Sequence, residues 1–238
     1  MRSALCDKPA DFIGEGCKVC PAFMVKGEDG LPVRLRGGLE INGVLFGSFT
    51  SVGKTEAFLS SIGCFSHAAG FVSAFLLRKQ QGSWRRLSFF HPDGPQGCGW
   101  KIPGQSETPD SLLCAHEDYG AGAISVIAFD ADGKVKTQSV LVQTWLYPGF
   151  RSDEKQKHCS TLDAKVKNVS FDSIEISIFL NSFDAAPPIN CFDESDSTTS
   201  KISNSKKIEH TAVFTRIGDH FAPDETTKKL LSEAERSR

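Results

Sequence analysis

The stretch AISVIAFDADGKVKTQSVLVQTWLY, residues 123–147, decides the fold class of this chain. An apolar run from residue 123 reaches the turn Asp130-Ala131-Asp132-Gly133, and an alternating run of residues 134–147 follows. Asp and Gly favour the backbone of tight turns, and two strand-like runs joined by such a turn are typical of a β-hairpin. The stretch therefore predicts antiparallel β structure.

Similar strand-like runs lie on both sides of this hairpin, in three clusters at residues 41–90, 98–147 and 161–222. A period of about 45–55 residues is typical of propeller blades or repeated meanders. We predict a mainly β protein of propeller-like or partial-propeller antiparallel meanders, with a β-sandwich as the alternative. The Pro- and Gly-rich residues 91–110 and the polar residues 184–206 predict loops.

The chain divides on this basis into three segments. Residues 1–40 hold a Cys-rich N-terminal segment and the first strands, and residues 41–222 hold the repeated antiparallel β units. Residues 223–238 form a short C-terminal helix, which begins at Pro223-Asp224-Glu225 and ends near Arg236. The net charge of -2 gives no basic excess for binding nucleic acid, and no stretch approaches the roughly 20 apolar residues of a transmembrane helix.

The cysteines indicate where the protein resides. Eight of them spread over the whole length predict disulfides formed in an oxidising compartment: Cys6, Cys17, Cys20, Cys64, Cys98, Cys114, Cys159 and Cys191. We expect a secreted or periplasmic protein whose signal peptide is absent from this sequence, because residues 1–8 have no apolar core.

The pairing of these cysteines is only partly predictable. Cys98 and Cys114 flank a Pro- and Gly-rich loop, and we expect them to form one bridge that closes a short loop. The other six cysteines leave 15 pairings open. Cys17 and Cys20 have the spacing of some redox and metal sites, but Pro21 follows in place of a helix, which favours structural disulfides.

One segment carries a resemblance to a known family. Residues 47–59, GSFTSVGKTEAFL, resemble the hinge of an FG-GAP (integrin-α-like) propeller repeat. Residues 64–79, 112–114, 118–120 and 217–223 are similar to segments of repeat-containing proteins that bacteria export. The resemblance implies a propeller-type β fold. The family's loop binds calcium through acidic oxygens, whereas Ser48, Thr50 and Val52 stand at those positions here, so we predict no metal and no cofactor.

The same segment also has part of a nucleotide-binding motif. Ser51-Val52-Gly53-Lys54-Thr55 ends like a phosphate-binding P-loop, in which glycines at both ends of a four-residue gap let backbone N–H groups contact phosphates. Ser48 stands where the first glycine is required. A nucleotide-binding protein that uses Lys54 and Thr55 is therefore the weakest of the functional alternatives.

Two further groups of residues are candidate sites. His116 and Glu117 follow Cys114 in a turn-rich segment and are candidate catalytic residues of an exported hydrolase built on residues 114–122. Trp84, Arg85 and Arg86 place an aromatic ring beside two cations, which is typical of binding surfaces.

No convergent catalytic arrangement is recognisable in the sequence. Our main hypothesis is therefore an exported, disulfide-stabilised binding or envelope-associated module without catalytic activity, whose partner is a protein or a glycan. The exported hydrolase is the competing class.

Overall fold

The structure, a computed structural model, describes residues 1–21, 36–65, 72–90, 95, 97–118, 121–145, 157–185 and 202–236. Within these residues the protein is mainly β, with antiparallel meander sheets and a C-terminal helix. The fold class predicted from the sequence is confirmed in these terms, while the propeller-like arrangement stays a prediction. No helix in the described ranges is long and apolar enough to cross a membrane.

The chain forms two compact units. The first contains Met1–Ala115 and Val126–Gln138, and the second contains His116–Ser125 and Ser139–Arg238. The segments expected from the sequence have their boundaries at residues 40 and 222, so the compact units divide the chain at different places.

A six-stranded antiparallel sheet lies in the first unit, with its strands in sequence order. After the short helix α1 (Arg2–Leu5) and a 3-10 turn (Pro9–Asp11), the strands are β1 (Phe12–Ile13), β2 (Gly16–Cys17), β3 (Arg36–Gly47), β4 (Glu56–Phe65), β5 (Val72–Gln80) and β6 (Ser83–Phe90). Residues 22–35, in the segment where the first strands were expected, lie outside the described residues.

Both faces of this sheet are covered. On one face, residues 1–20, which we call the N-terminal segment, pack against Ala57, Leu59, Phe75 and Leu77. Phe58, Ala74 and Leu76 alternate with them and pack on the other face with residues of the later strands. Successive side chains of a strand point to opposite faces, so a strand buried on both sides has a continuous apolar sequence.

Four further strands form a sheet in the order β10-β9-β8-β7. They are β7 (Cys98–Ile102), β8 (Ser111–Asp118), β9 (Ala121–Phe129) and β10 (Val135–Trp145). The predicted hairpin turn is present: Asp130 accepts the N–H groups of Asp132 and Lys134 on its carboxylate, at 3.0 and 2.9 Å.

The prediction of a loop at residues 91–110 is wrong for residues 98–102, which form β7. This strand lies inside that stretch and pairs with β8, with Cys98 opposite Cys114 and Ile102 opposite Ser111. Pairing with a buried neighbour and a disulfide hold a short Gly-containing segment extended, although its composition is typical of a loop.

The second unit contains a four-stranded antiparallel sheet and a helix. The strands are β11 (Lys157–Val169), β12 (Ser173–Ala185), β13 (Ile202–Ile217) and β14 (His220–Pro223), and α2 is Glu225–Arg236. The expected loop at residues 184–206 is wrong at both ends, because Ala185 and Ile202 are paired across β12 and β13. Hydrogen bonds between the strands hold these polar ends extended, and residues 186–201 lie outside the described part.

The C-terminal helix matches its sequence signals. Asp224 precedes α2 and accepts the backbone N–H of Thr227 at 2.7 Å, which satisfies one free donor of the first turn. Thr227 is fully buried, and its hydroxyl lies 3.0 Å from Nε2 of His210 on β13. On the predicted apolar side of the helix, Ala234 is buried and Leu230 is half-buried.

Candidate functional site

An exposed aromatic patch lies on the face of the six-stranded sheet that also carries the N-terminal segment. Its members are the exposed Val44 and Phe46 of β3 and the half-buried Trp84 of β6. Phe46 is 57% exposed and Val44 40% exposed, and the rings of Phe46 and Trp84 lie 6.1 Å apart. Phe46 is opposite Ala57, whose small side chain leaves space for this ring contact. We call Val44, Phe46 and Trp84 the aromatic patch.

A groove adjoins the aromatic patch. It has a volume of about 430 Å³ and lies between the N-terminal segment and β3. We call it the β3 groove, and it is lined by Met1, Leu5, Phe12, Gly14, Glu15, Ile41, Asn42, Gly43, Val44 and Leu59. Most of these residues are apolar, and the only ionisable side chain among them is that of Glu15.

The N-terminal segment is fixed against the sheet and forms one wall of this groove. Cys6 and Cys17 are joined by a disulfide, with Cα atoms 5.7 Å apart. β2 continues the sheet by pairing Gly16 with Glu40 and Cys17 with Leu39. A Cβ atom at Gly16 would lie 1.7 Å from the carbonyl oxygen of Leu39, so only glycine permits this close approach.

The three residues predicted as a binding surface do not all lie on one face of the sheet. Trp84 packs on the face of the sheet that carries the N-terminal segment, and Arg86 interacts with Asp7 of this segment. Burial lowers the pKa of Arg86, and the Asp7 charge acts in the opposite direction. Arg85 is opposite Arg78 in the register, and strand alternation places it on the other face from Trp84. Trp84 is therefore the member that belongs to the aromatic patch.

A buried ionic network holds the loop that carries the FG-GAP resemblance. Glu56 is completely buried and accepts the backbone N–H and the hydroxyl of Thr50, at 2.9 and 2.6 Å. Arg78 donates Nε–H to Glu56 at 2.8 Å and also contacts the Thr50 hydroxyl. These contacts satisfy the buried carboxylate and fix the loop in place, so Thr50 and Glu56 have structural roles.

The predicted nucleotide-binding residues do not have the geometry of a P-loop. Lys54 and Thr55 are exposed at the end of a turn, in which Lys54 donates its N–H to the carbonyl of Ser51 at 3.3 Å. The chain continues from Thr55 directly into strand β4. A P-loop requires a helix N-terminus at this point, so the segment lacks the dipole and donors that bind phosphate.

The candidate catalytic residues lie at the end of a strand. His116 and Glu117 belong to β8, and their side chains lie outside the described part. Asp130 and Asp132 belong to the hairpin turn. Among the side chains that the structure describes, no group of three His, Cys, Asp or Glu residues is placed to hold a metal ion.

Five cysteines of the described side chains are in disulfides. Cys98 is bonded to Cys114, which is the pair expected from the sequence, and Cys6 is bonded to Cys17. Cys20 is also disulfide-bonded, so the Cys17–Cys20 spacing does not form a redox dithiol. The side chains of Cys64, Cys159 and Cys191 lie outside the described part.

Comparisons of the chain with protein-family models, with curated proteins and with solved structures find no match.

Proposed function

We propose that this protein is an exported, disulfide-stabilised binding module that holds a partner protein on the aromatic patch and in the β3 groove. The observation that carries the proposal is the exposure of Phe46, at 57%, next to Trp84 and an apolar groove of about 430 Å³. Exposed apolar surface beside a concave site is typical of interaction surfaces, and aromatic residues contribute most of the energy of such contacts.

The chemistry of the groove favours a protein partner over a glycan. Asn42 and Glu15 are the polar side chains of the lining, and the remaining members are apolar or glycine. A glycan presents many hydroxyl groups, and each would lose its hydrogen bonds to water without a partner in such a groove. An apolar amino-acid side chain has no such cost.

Disulfides support the exported location. The disulfide Cys6–Cys17 joins the residue after α1 to β2, and the disulfide Cys98–Cys114 joins β7 to β8. Disulfides of this structural kind form and persist in oxidising compartments and are rare in the cytoplasm.

Selection from a peptide library tests the binding surface. Random 12-residue peptides displayed on phage are panned against the intact, disulfide-bonded protein, and the dissociation constant of the most enriched synthetic peptide is measured by calorimetry. We expect Trp84→Ala to raise the dissociation constant of this peptide at least tenfold, since it removes an aromatic anchor. Trp100→Ala is the matched control, because Trp100 is 38% exposed on β7 and belongs neither to the aromatic patch nor to the lining of the groove.

Two results would contradict this proposal. One is equal binding by wild type and Trp84→Ala. The other is a hydrolase activity of the purified protein that His116→Ala or Glu117→Ala abolishes, which would support the exported hydrolase.

A further inference from the structure

Among the strands of the described residues, none neighbours part of the β3 edge beside the groove. β2 pairs with Leu39 and Glu40, and Ile41 donates its N–H to the carbonyl of Glu15 at 3.0 Å. At the other end, the carbonyl of Ser48 accepts the N–H of Asp110 at 3.0 Å. Between these contacts, no strand of the described chain pairs with residues 42–46 on the side opposite β4.

The hydrogen-bond pattern shows which backbone groups face this open edge. In an antiparallel sheet, successive residues direct their N–H and C=O groups to alternate sides. Lys79 of β5 donates to the carbonyl of Thr55, so Thr55 and the residues that alternate with it in β4 face β5. Their partners in β3 include Val44, opposite Leu59, and Phe46, opposite Ala57. Because Leu59 and Ala57 face β5, Val44 and Phe46 direct their backbone groups away from β4.

A register shift between Ile41 and Gly43 is consistent with the same assignment. Ile41 directs its N–H outward to Glu15, and Asn42 is the extra residue that opposes no residue of β4. Gly43 is then opposite Ser60 and directs its backbone N–H and C=O groups to β4, so Val44 and Phe46 direct theirs away from β4. Two N–H donors and two C=O acceptors are thus presented in one row above the groove.

We infer that the partner binds as an extended peptide segment that adds a strand to this edge of β3 and places an apolar side chain in the β3 groove. This inference rests on the proposed function and specifies how the partner is held. Main-chain hydrogen bonds to Val44 and Phe46 align the segment, and alternate side chains then point to the same face as the aromatic patch. The volume of about 430 Å³ is sufficient for a Leu or Phe side chain.

The charge of the lining specifies the segment further. Glu15 borders the groove at the end nearest β2 and is exposed. A Lys or Arg placed two residues from the apolar anchor lies on the same face of the added strand and can pair with this carboxylate. The partner segment is therefore an alternating one, with an apolar residue and a basic residue at positions i and i+2.

The panned peptide of the preceding section provides a direct test. Each backbone N–H of the synthetic peptide is methylated in turn, and the dissociation constants are compared. Strand addition predicts a loss of at least tenfold at alternate positions in the bound stretch and little change at the positions between them. A peptide held by side chains alone gives no such period of two.

A pair of variants tests the protein side of the same bonds. Val44→Pro removes an outward N–H without altering a β3–β4 hydrogen bond, and proline is tolerated at such edge positions. Val44→Thr retains the N–H and the side-chain shape. We expect the dissociation constant of the peptide to be at least tenfold higher for Val44→Pro than for Val44→Thr. Circular dichroism of both variants establishes that the fold is retained, and the methylation series decides the question if Val44→Pro does not fold.

The outcomes separate the two proposals. Loss of binding in Trp84→Ala without a period of two in the methylation series would overturn strand addition and leave the aromatic patch as the site. No effect of either change would overturn both. Enrichment of no peptide above background, or a concentration-dependent dimer that Val44→Pro abolishes, would also overturn the peptide proposal, the second in favour of a second copy of this chain. Selective binding of glycans on an array would favour a glycan instead.

Discussion

At the scale of single residues, burial and hydrogen bonding give the polar side chains roles that the sequence did not predict. Glu56 stands next to a P-loop-like segment in the sequence, but its carboxylate is completely buried between Thr50 and Arg78. No local pattern reveals this, because the partners lie 6 and 22 residues away. Phe46 is the reverse case: a phenylalanine in a strand is usually buried, but this side chain is 57% exposed.

The Glu56 network predicts a large loss of stability on truncation. Glu56→Ala leaves the Nε–H of Arg78 and the hydroxyl of Thr50 without their carboxylate acceptor, and we expect the free energy of unfolding to fall by about 3 kcal/mol. Urea denaturation with the disulfides intact measures this value. Glu40→Ala, at an exposed position of β3, is the control and should change it by less than about 0.5 kcal/mol. A loss below about 1 kcal/mol for Glu56→Ala would contradict the structural role.

Asp224 predicts a pH dependence of stability. Hydrogen bonds from Thr227 are the main cause that lowers its pKa from the ordinary value of 3.8, and His210 contributes. A carboxylate with a lowered pKa in the folded state stabilises the fold above the unfolded-state pKa, and this contribution is lost as the pH falls through the folded value. Asp224→Asn retains a capping side chain without the titration.

We therefore expect the difference in unfolding free energy between wild type and Asp224→Asn to be constant from pH 7 to about pH 5. As the pH falls below 3.8, the ordinary pKa of the carboxyl group, wild type should lose stability relative to Asp224→Asn. Urea denaturation of both proteins at a series of pH values measures this difference. A difference that is independent of pH down to about pH 2 would show that Asp224 has no lowered pKa.

At the scale of elements, apolar periodicity and turn residues predicted most of the strands. The hairpin at residues 123–147, the strands on either side of Gln81-Gly82 and the C-terminal helix were all predictable, because their signals are local. β7 was missed, since it lies within residues 91–110, whose Pro- and Gly-rich composition is typical of a loop, and its extended form depends on pairing with β8. The β3 groove was also unpredictable, because it is formed by the N-terminal segment and β3 together, and these elements are far apart in the sequence.

The disulfide of β7 predicts a measurable contribution to stability. Cys98 and Cys114 are 16 residues apart, and a loop of this length corresponds to about 3 kcal/mol in the loop-entropy account. We expect the double variant Cys98→Ser/Cys114→Ser to lose about this amount in urea denaturation. Retention of the wild-type free energy of unfolding would show that β7 needs no cross-link to remain in the sheet.

At the scale of the whole molecule, we propose an exported protein that is stabilised by disulfides and presents one binding surface. The location has its own test. Peptide mapping of the protein from its native source, without reduction, should recover the cross-links Cys6–Cys17 and Cys98–Cys114 and no free thiol at Cys20. Free thiols at these positions would place the protein in a reducing compartment and contradict the exported location.

We propose that the partner binds at the open edge of β3, and hydrogen–deuterium exchange locates the binding site on the intact protein. Exchange is measured on the intact protein with and without a saturating amount of the panned peptide. We predict slower exchange in residues 42–46, where Val44 and Phe46 gain hydrogen-bond acceptors, and in the N-terminal segment that forms the groove wall. Protection confined to residues 114–122, or to the second unit, would contradict the account and place the binding site elsewhere.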